Sequence, residues 1–242
     1  MSILTVSGIS KTFGGLRAVA NVDLEVERGE MVGLIGANGA GKSTLLHLIY
    51  GRIRPERGSI RFNGTDVTLL PVTARARMGM GLVFQIISVF DGLTVGENLL
   101  LGALPKDSTR SDPVDQTEVE KVIDLVDLRG VRDRSAGRLG HGEKQRLEIG
   151  MVLLTRPTLL LLDEPTSGMT AAESRRTAGL LQSLRSEGEI DAAIVVEHNI
   201  EFIRLVADRV TVMHRGSVLA DGPIDQVQDD PAVQASFLGR LH

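Results

Sequence analysis

The sequence predicts an α/β domain built on a parallel β-sheet. Residues 158–162 and 192–196 form short, nearly continuous apolar runs, which are typical of strands buried on both faces of such a sheet. A third apolar run, residues 31–35, ends at glycine and precedes a segment with helical spacing, Lys42–Tyr50. Strand, loop and helix follow one another in the order that a layered α/β fold requires.

Three further strands are predicted outside these runs. Apolar residues alternate with polar ones at residues 3–9 and 22–26, and this period of two favours half-buried strands. Residues 59–62 predict another strand, which ends at the tight turn Asn63-Gly64.

The middle of the chain has a helical pattern. Between residues 94 and 152 apolar side chains recur at helical spacing, which predicts an inserted helical subdomain within one domain of residues 1–242. Residues 104–115 are rich in Ser, Asp, Thr and Pro and are expected to form an exposed loop inside it. One apolar stripe of this region comprises Val119, Val122, Ile123, Leu125 and Val126.

Composition excludes several classes of protein. The 242 residues are 42% hydrophobic and 24% charged, which is ordinary for a folded domain, and the net charge of −4 gives no bulk attraction for nucleic acid. No cysteine is present, so disulfides and thiolate metal sites are excluded. The N-terminus lacks a signal-peptide pattern, and no run reaches the roughly 18 to 20 apolar residues that span a bilayer. We therefore expect a cytoplasmic chain.

Nine consecutive residues match the pattern of a phosphate-binding loop, between the strand at residues 31–35 and its helix. Glycines let the backbone curl so that N–H groups point at phosphate oxygens, and the positive end of the helix faces the same anion. Lys42 would reach the β- and γ-phosphates, and Ser43 would bind Mg²⁺. A plain glycine-rich turn is the alternative, which the flanking strand and helix disfavour. The loop comprises Gly36, Ala37, Asn38, Gly39, Ala40, Gly41, Lys42, Ser43 and Thr44.

Two carboxylates, Asp163 and Glu164, follow the apolar run at residues 158–162. Alone, such a pair more often marks a strand that ends in a solvated turn. Beside a phosphate-binding loop, the first suits the Mg²⁺ shell and the second suits polarisation of a water molecule. In an open α/β sheet the three apolar strands can bring their carboxyl ends to one ligand site.

In this order along the chain, the motifs resemble the nucleotide-binding subunits of ABC transporters, from about Leu4 to the C-terminus. The family's signature segment, which opens a helix, is matched by residues 139–146. The resemblance implies the ABC ATPase fold: a P-loop parallel-sheet core, an antiparallel β subdomain and an inserted α-helical subdomain. It also implies a head-to-tail dimer, in which the signature segment of one subunit caps the γ-phosphate of ATP bound to the other. The central signature residues are Gly140, His141, Gly142 and Glu143.

The same resemblance implies roles for three isolated residues. Phe13 matches the aromatic that stacks on adenine, Gln85 the glutamine that contacts Mg²⁺ and senses the transmembrane partner, and His198 the histidine that contacts the γ-phosphate. Taken alone, such residues are more often core, surface and satisfied polar positions. The implied reaction is in-line attack of water on the γ-phosphate, with Glu164 as base or water-orienting group and with Lys42, Mg²⁺ and His198 stabilising charge.

Several residues depart from the family pattern. Gly140 replaces the usual serine, whose hydroxyl donates to the partner's γ-phosphate, although His141 could compensate if it donates. Glu143 replaces a glutamine, and Thr170 replaces a common aspartate. Neutral drift is one explanation. Our hypothesis is the other, a heterodimer with unequal ATP sites.

The resemblance also indicates a branch of the family. Residues 11–19 and 90–99 look like the ATPases of branched-chain amino acid importers. The related urea branch is favoured by residues 140–145, 147–151, 168–173, 210–222 and 238–240. The implied partners are two membrane permease subunits, a second ATPase subunit and an external solute-binding protein. The implied location is the cytoplasmic face of the plasma membrane, where the chain would be a peripheral subunit.

Other functions remain as alternatives. A soluble ABC ATPase that acts on nucleic acid or ribosomes is the chief one, although such proteins tend to carry two fused nucleotide domains or a long coiled-coil insertion, and the sequence shows neither. A P-loop kinase or GTPase would lack the signature segment. A purely structural nucleotide-binding module would not need Glu164 and His198.

Overall fold

A computed structural model of the protein describes residues 1–103 and 116–238. The loop expected at residues 104–115 lies outside the described residues. Ten strands are described: β1 (Ser2–Phe13), β2 (Leu16–Glu27), β3 (Met31–Gly36), β4 (Arg57–Phe62), β5 (Thr65–Asp66), β6 (Met80–Val83), β7 (Leu159–Asp163), β8 (Ala192–Val196), β9 (Arg209–His214) and β10 (Ser217–Gly222). The α-helices described are α1 (Lys42–Tyr50), α2 (Val72–Arg77), α3 (Val95–Ala103), α4 (Gln116–Leu125), α5 (His141–Leu153), α6 (Ala171–Ser186), α7 (Ile200–Val206), α8 (Ile224–Gln228) and α9 (Pro231–Leu238).

The core is a six-stranded sheet with the order β10-β9-β3-β8-β7-β6. Its strands pair in parallel from β6 to β9, and β10 joins the edge antiparallel to β9. Alternate residues of β7 enter two hydrophobic clusters: Leu160 and Leu162 belong to one, Leu159 and Leu161 to the other. Both faces of the sheet are therefore covered, which is why these strands read as continuous apolar runs.

A four-stranded antiparallel sheet, β2-β1-β4-β5, packs on one face of the core. Strands β1 and β2 are each longer than the alternation predicted, because the pairing continues through register shifts. One shift lies between Val6 and Ile9, next to Gly8, and the partner strand has a positive φ at Asn21. Such irregularities interrupt the period of two, so the sequence pattern marks only part of each strand.

Helices α3, α4 and α5 cover the opposite face of the core. Val119, Val122 and Ile123 of α4 are buried in the same cluster as Leu99 of α3 and Leu147 of α5. The predicted stripe therefore faces the protein interior. These three helices fall within residues 94–152, but the limits of the helical subdomain remain a prediction. In the part of the chain that the structure describes, no helix is long and apolar enough to cross a membrane.

Candidate nucleotide site

The phosphate-binding loop runs between the end of β3 and the start of α1, as predicted. Two of its glycines are required by close backbone contacts. A Cβ at Gly36, where φ is +146°, would lie 2.2 Å from the Met213 carbonyl oxygen. A Cβ at Gly41, where φ is +105°, would lie 2.3 Å from the Ala18 carbonyl oxygen. The loop thus lies against both β2 and β9, and larger residues would push it out of place.

Lys42 is buried at the first position of α1. Its ammonium group donates to two carbonyl oxygens of the loop, Gly36 at 2.8 Å and Ala37 at 3.2 Å. These bonds hold the charged group against the loop backbone. A positive charge is thereby fixed beside the N-terminus of α1, which itself favours anions.

Ser43 and Asp163 join the loop to the end of β7. The Ser43 hydroxyl donates to Asp163 Oδ1 at 2.9 Å, and Asp163 is only 3% exposed. His47 Nε2 lies 4.0 Å from the other carboxylate oxygen. Burial lowers the pKa of His47, and the neighbouring Asp163 carboxylate offsets part of that effect. The pair presents hydroxyl and carboxylate oxygens, which are ligands that Mg²⁺ prefers.

The ends of three neighbouring strands, β6, β7 and β8, meet at Glu164. Its backbone N–H donates to the Val196 carbonyl of β8 at 2.9 Å, and its φ is +50°. Its carboxylate accepts a hydrogen bond from Gln85 Nε2 at 3.0 Å and lies 3.9 Å from His198 Nδ1. A positive φ costs a residue with a Cβ on the order of 1 kcal/mol, so local strain accompanies this placement.

Glu197 is a site residue that the sequence interpretation did not single out. It is fully buried, and its carboxylate accepts from the Thr166 N–H at 2.9 Å and from the Thr166 hydroxyl at 2.5 Å. Its second oxygen accepts from the His198 N–H at 3.0 Å. Glu197 therefore ties the turn after Glu164 to the loop that carries His198. The available signal was an acid at the end of a fully apolar strand, where a buried charge needs partners.

The signature residues begin α5 and contact the turn after Glu164. The Gly140 N–H donates to the Glu143 carboxylate at 2.8 Å, and His141 Nε2 lies 2.8 Å from the Ser167 carbonyl oxygen. Thr170 caps α6 and shares a hydrogen-bonded capping box with Glu173. The N–H of Thr170, followed by its hydroxyl and by the N–H of Gly142, holds the pKa of Glu173 below its usual range.

Phe13 lies at the end of β1 and is 45% exposed. The Lys11 ammonium group lies 5.4 Å from the centre of the Phe13 ring. The following strand, β2, contacts the phosphate-binding loop through Ala18. An exposed aromatic face on this hairpin suits stacking on a nucleotide base, and its role stays a prediction.

The fold and this set of residues define a P-loop nucleoside triphosphatase of the α/β class. The sequence model of the ABC transporter family matches residues 19–167. The chain is 36% identical to the high-affinity branched-chain amino acid transport ATP-binding protein BraF of Pseudomonas aeruginosa, over 98% of each chain. It is 34% identical to the lipopolysaccharide export system ATP-binding protein LptB of Haemophilus influenzae, over 99% of this chain and 98% of that protein.

The solved structures agree with the sequence relatives. The ADP conformation of MJ1267, an ATP-binding cassette of an ABC transporter, superimposes with a TM-score of 0.89 at 29% identity, over 99% of this chain and 100% of that one. The chain belongs to the ABC transporter family, as an ATP-binding subunit that hydrolyses ATP. The predicted family, fold class and ATPase activity are confirmed.

Proposed function

We propose that this chain is the ATP-hydrolysing subunit of an importer for branched-chain amino acids or for urea and short amides. One observation carries the catalytic part of the proposal: Gln85, Glu164 and His198 converge next to the Ser43–Asp163 pair and the phosphate-binding loop. These groups come from the ends of β6, β7 and β8 and from α1. Their meeting at one edge of the sheet supports a single reaction centre.

The donor set fits ATP with Mg²⁺. In residues 1–103 and 116–238, no group of three or more His, Asp and Glu side chains could hold a metal ion unaided. Mg²⁺ normally takes one or two protein ligands together with phosphate oxygens and water, so Ser43 and Asp163 suffice, and Gln85 would approach the ion with its amide oxygen. When bound, the ion would neutralise charge on the β- and γ-phosphates.

Residues of this chain bind the phosphates, position the attacking water and stabilise the developing charge. Backbone N–H groups of the loop and the Lys42 ammonium group bind the phosphates. Glu164 acts as base or water-orienting group for the attacking water, because its carboxylate is only partly exposed and lies where the ends of β6, β7 and β8 meet. His198 donates toward the γ-phosphate, and Glu197 fixes its backbone.

A second ATPase subunit completes the site, and we propose that it is a different chain. Gly140 has no side chain to donate to the partner's phosphate. The Glu143 carboxylate already accepts the Gly140 N–H. An acid at this helix start competes with phosphate for the same positive end. This signature segment would therefore complete the partner's ATP site less well than a standard one.

Two permease subunits and an external solute-binding protein would complete the transporter, with this chain bound to the cytoplasmic face of the plasma membrane. The cargo is selected by those partners. BraF, an ATP-binding protein of branched-chain amino acid transport, and the motifs at residues 11–19 and 90–99 support import. LptB belongs to an export system, and its similar identity makes export of a lipid the second candidate.

Purification of the full-length chain from membranes tests both the proposed role in a transporter and the proposed direction of transport. The expected result is recovery of permeases of the importer type, with a second ATPase subunit, and labelled leucine or urea uptake that requires ATP. Recovery of lipid-export permeases would overturn the import proposal and leave the ATPase assignment intact. Recovery of ribosomes or DNA without membrane proteins would overturn the transport proposal.

A further inference from the structure

Glu148 is a buried acid that the proposed reaction does not use. It lies on α5 with 3% exposure, and its Oε1 accepts a hydrogen bond from the Ser88 N–H at 3.3 Å. Its Oε2 is buried without a partner, as is the amide nitrogen of Gln145 one turn earlier. Burial raises the pKa of Glu148 to about 7, against the opposing effect of the Ser88 and Phe84 N–H groups.

This arrangement is poor for stability. A buried carboxylate costs free energy unless hydrogen bonds satisfy both of its oxygens, and here one oxygen is left over. An apolar residue or an amide of similar size would cost less at this position. An incompletely satisfied polar group in a core is a reason to look for a function.

The contact made by Glu148 is to the backbone of the segment 84–91, which follows β6 and carries Gln85. Ile86 and Phe90 of this segment have exposed side chains, 82% and 54%. Its backbone is instead held by polar groups of the adjacent helices. The amide of Asn98, buried in α3, accepts from the Phe90 N–H at 2.7 Å and donates to the Phe90 carbonyl at 3.1 Å.

Helix α5 supplies two of these contacts from one face. Lys144 and Glu148 are four residues apart, so they lie one above the other on the helix. The Lys144 ammonium group pairs with Asp91 at 2.7 Å, and Glu148 holds Ser88. Three residues before Ser88, the Gln85 amide reaches the Glu164 carboxylate at 3.0 Å. The helix that begins at the signature segment is thus connected to the group beside the proposed attacking water.

We propose that Glu148 is a positioning residue for ATP hydrolysis: by holding the Ser88 N–H, it fixes the segment 84–91 so that the Gln85 amide reaches Glu164. The inference rests on the proposed roles of Gln85 and Glu164. Glu148 touches no substrate and acts only through the backbone. Without the Glu148 contact, the Gln85 amide would shift by more than the ~1 Å that catalysis tolerates.

The test compares Glu148→Met with Glu148→Gln in the full transporter complex, with kcat and KM for Mg-ATP as the readouts. Methionine cannot accept the Ser88 N–H bond in the way a carboxylate does, whereas glutamine accepts it through its amide oxygen. Glu148→Met is expected to lower kcat about tenfold, which corresponds to about 1.4 kcal/mol, with KM changed less than about twofold. Glu148→Gln is expected to keep most of the wild-type kcat.

A matched control separates positioning from a general loss of packing. Leu147→Ala removes a fully buried side chain from the same helix, so it should lower thermal stability while kcat per folded molecule changes little. The double variant Gln85→Ala with Glu148→Met supplies the decisive comparison. If Glu148 acts through Gln85, adding Glu148→Met to Gln85→Ala lowers kcat no further.

Three results would overturn the inference: Glu148→Met with wild-type kcat, Glu148→Gln as impaired as Glu148→Met, or full additivity with Gln85→Ala. Failure of the proposed function would give a different experimental result. If Glu164→Gln hydrolyses ATP normally, the assignment of Glu164 fails whatever Glu148 does. If Glu164→Gln is inactive and Glu148→Met is not, only the positioning role fails.

Discussion

Glu148 makes the stability of the folded chain depend on pH. Its carboxyl pKa is raised by burial from 4.5 to about 7. As pH rises through 4.5 the unfolded chain loses this proton, whereas the folded chain keeps it until about pH 7. Over that window the unfolded state binds fewer protons, so the free energy of unfolding falls as pH rises, and above pH 7 the loss is complete.

Glu148→Gln removes this dependence. We expect the variant to be more stable than the wild type at pH 8 by about 3 kcal/mol, and its advantage to be about 2 kcal/mol smaller at pH 5.5. Urea unfolding of both proteins at the two pH values measures the difference. An advantage that does not change with pH would show that the buried carboxyl titrates normally.

At the scale of an element, one buried cation, Arg75, binds the C-terminal turn of α1, the helix that follows the phosphate-binding loop. Arg75 of α2 is 1% exposed and donates to the Leu48 carbonyl at 2.8 Å, to Ile49, and to carbonyls before α2. Burial lowers the pKa of Arg75 to about 10, so the side chain stays charged near neutral pH. Arg75 therefore supplies donors to carbonyl groups in the last turn of α1, where the Leu48 carbonyl also accepts the Gly51 N–H at 3.2 Å.

Arg75→Lys should destabilise the chain although it keeps the charge, because an ammonium group cannot reproduce the planar fork of donors. Leaving two or three buried carbonyls unpaired costs about 2–4 kcal/mol, which lowers Tm by about 10 °C in a domain of this size. Thermal unfolding measures this, with Arg77→Lys on the exposed face of the same helix as control. Equal Tm values for the two variants would contradict the capping role.

A second prediction at the scale of an element concerns Glu143 at the start of α5. The Glu143 carboxylate accepts the Gly140 N–H, and glutamine can accept the same bond without the negative charge. Removing a charge at a helix start that faces phosphate should gain about 0.3–1 kcal/mol of nucleotide binding across the dimer. We expect Glu143→Gln to lower the ATP concentration for half-maximal turnover of the complex about two- to fivefold.

Glu201→Gln, which removes an exposed acid from the first turn of α7, is the matched control for Glu143→Gln. No change in either variant would mean that the signature segment of this chain does not face a nucleotide.

Elements with strong local signals could be predicted from the sequence, and those that depend on distant partners could not. Helix α1 has the predicted bounds, because a loop of fixed pattern precedes it and Gly51 ends it. Strands β5, β6, β9 and β10 were not predicted. β6 has only four residues, and its identity as a strand comes from pairing with β7.

The candidate site likewise has residues that local motifs predict and residues that depend on distant partners. The loop and the acidic pair follow motifs, so their positions along the chain could be predicted, and the structure brings Ser43 into contact with Asp163 and Lys42 into contact with the loop. The hydrogen bonds from Thr166 to Glu197 and from Ser88 to Glu148 cross from one element to another. They could not be read from spacing along the chain, because no local rule says which backbone N–H group will meet a buried carboxylate.

At the scale of the whole molecule, the proposed heterodimer would have unequal ATP sites, so its two subunits should differ in a measurable way. In the proposed dimer, the site built on this chain's phosphate-binding loop would use Glu164 and the signature segment of the partner subunit. The site built on the partner's loop would use this chain's altered segment, which lacks the hydroxyl at Gly140. Losing one charge-assisted hydrogen bond, about 1.5–3 kcal/mol, would slow that second site about ten- to a hundredfold.

Most turnover should therefore depend on Glu164 of this chain. Glu164→Gln is expected to bind ATP and to stop nearly all hydrolysis by the complex, whereas the same change at the corresponding acid of the partner subunit should leave most of it. Steady-state ATPase rates of the two single-subunit variants, at saturating Mg-ATP, measure the asymmetry. Equal losses in both would mean equivalent sites, because each subunit would then supply the same fraction of the turnover.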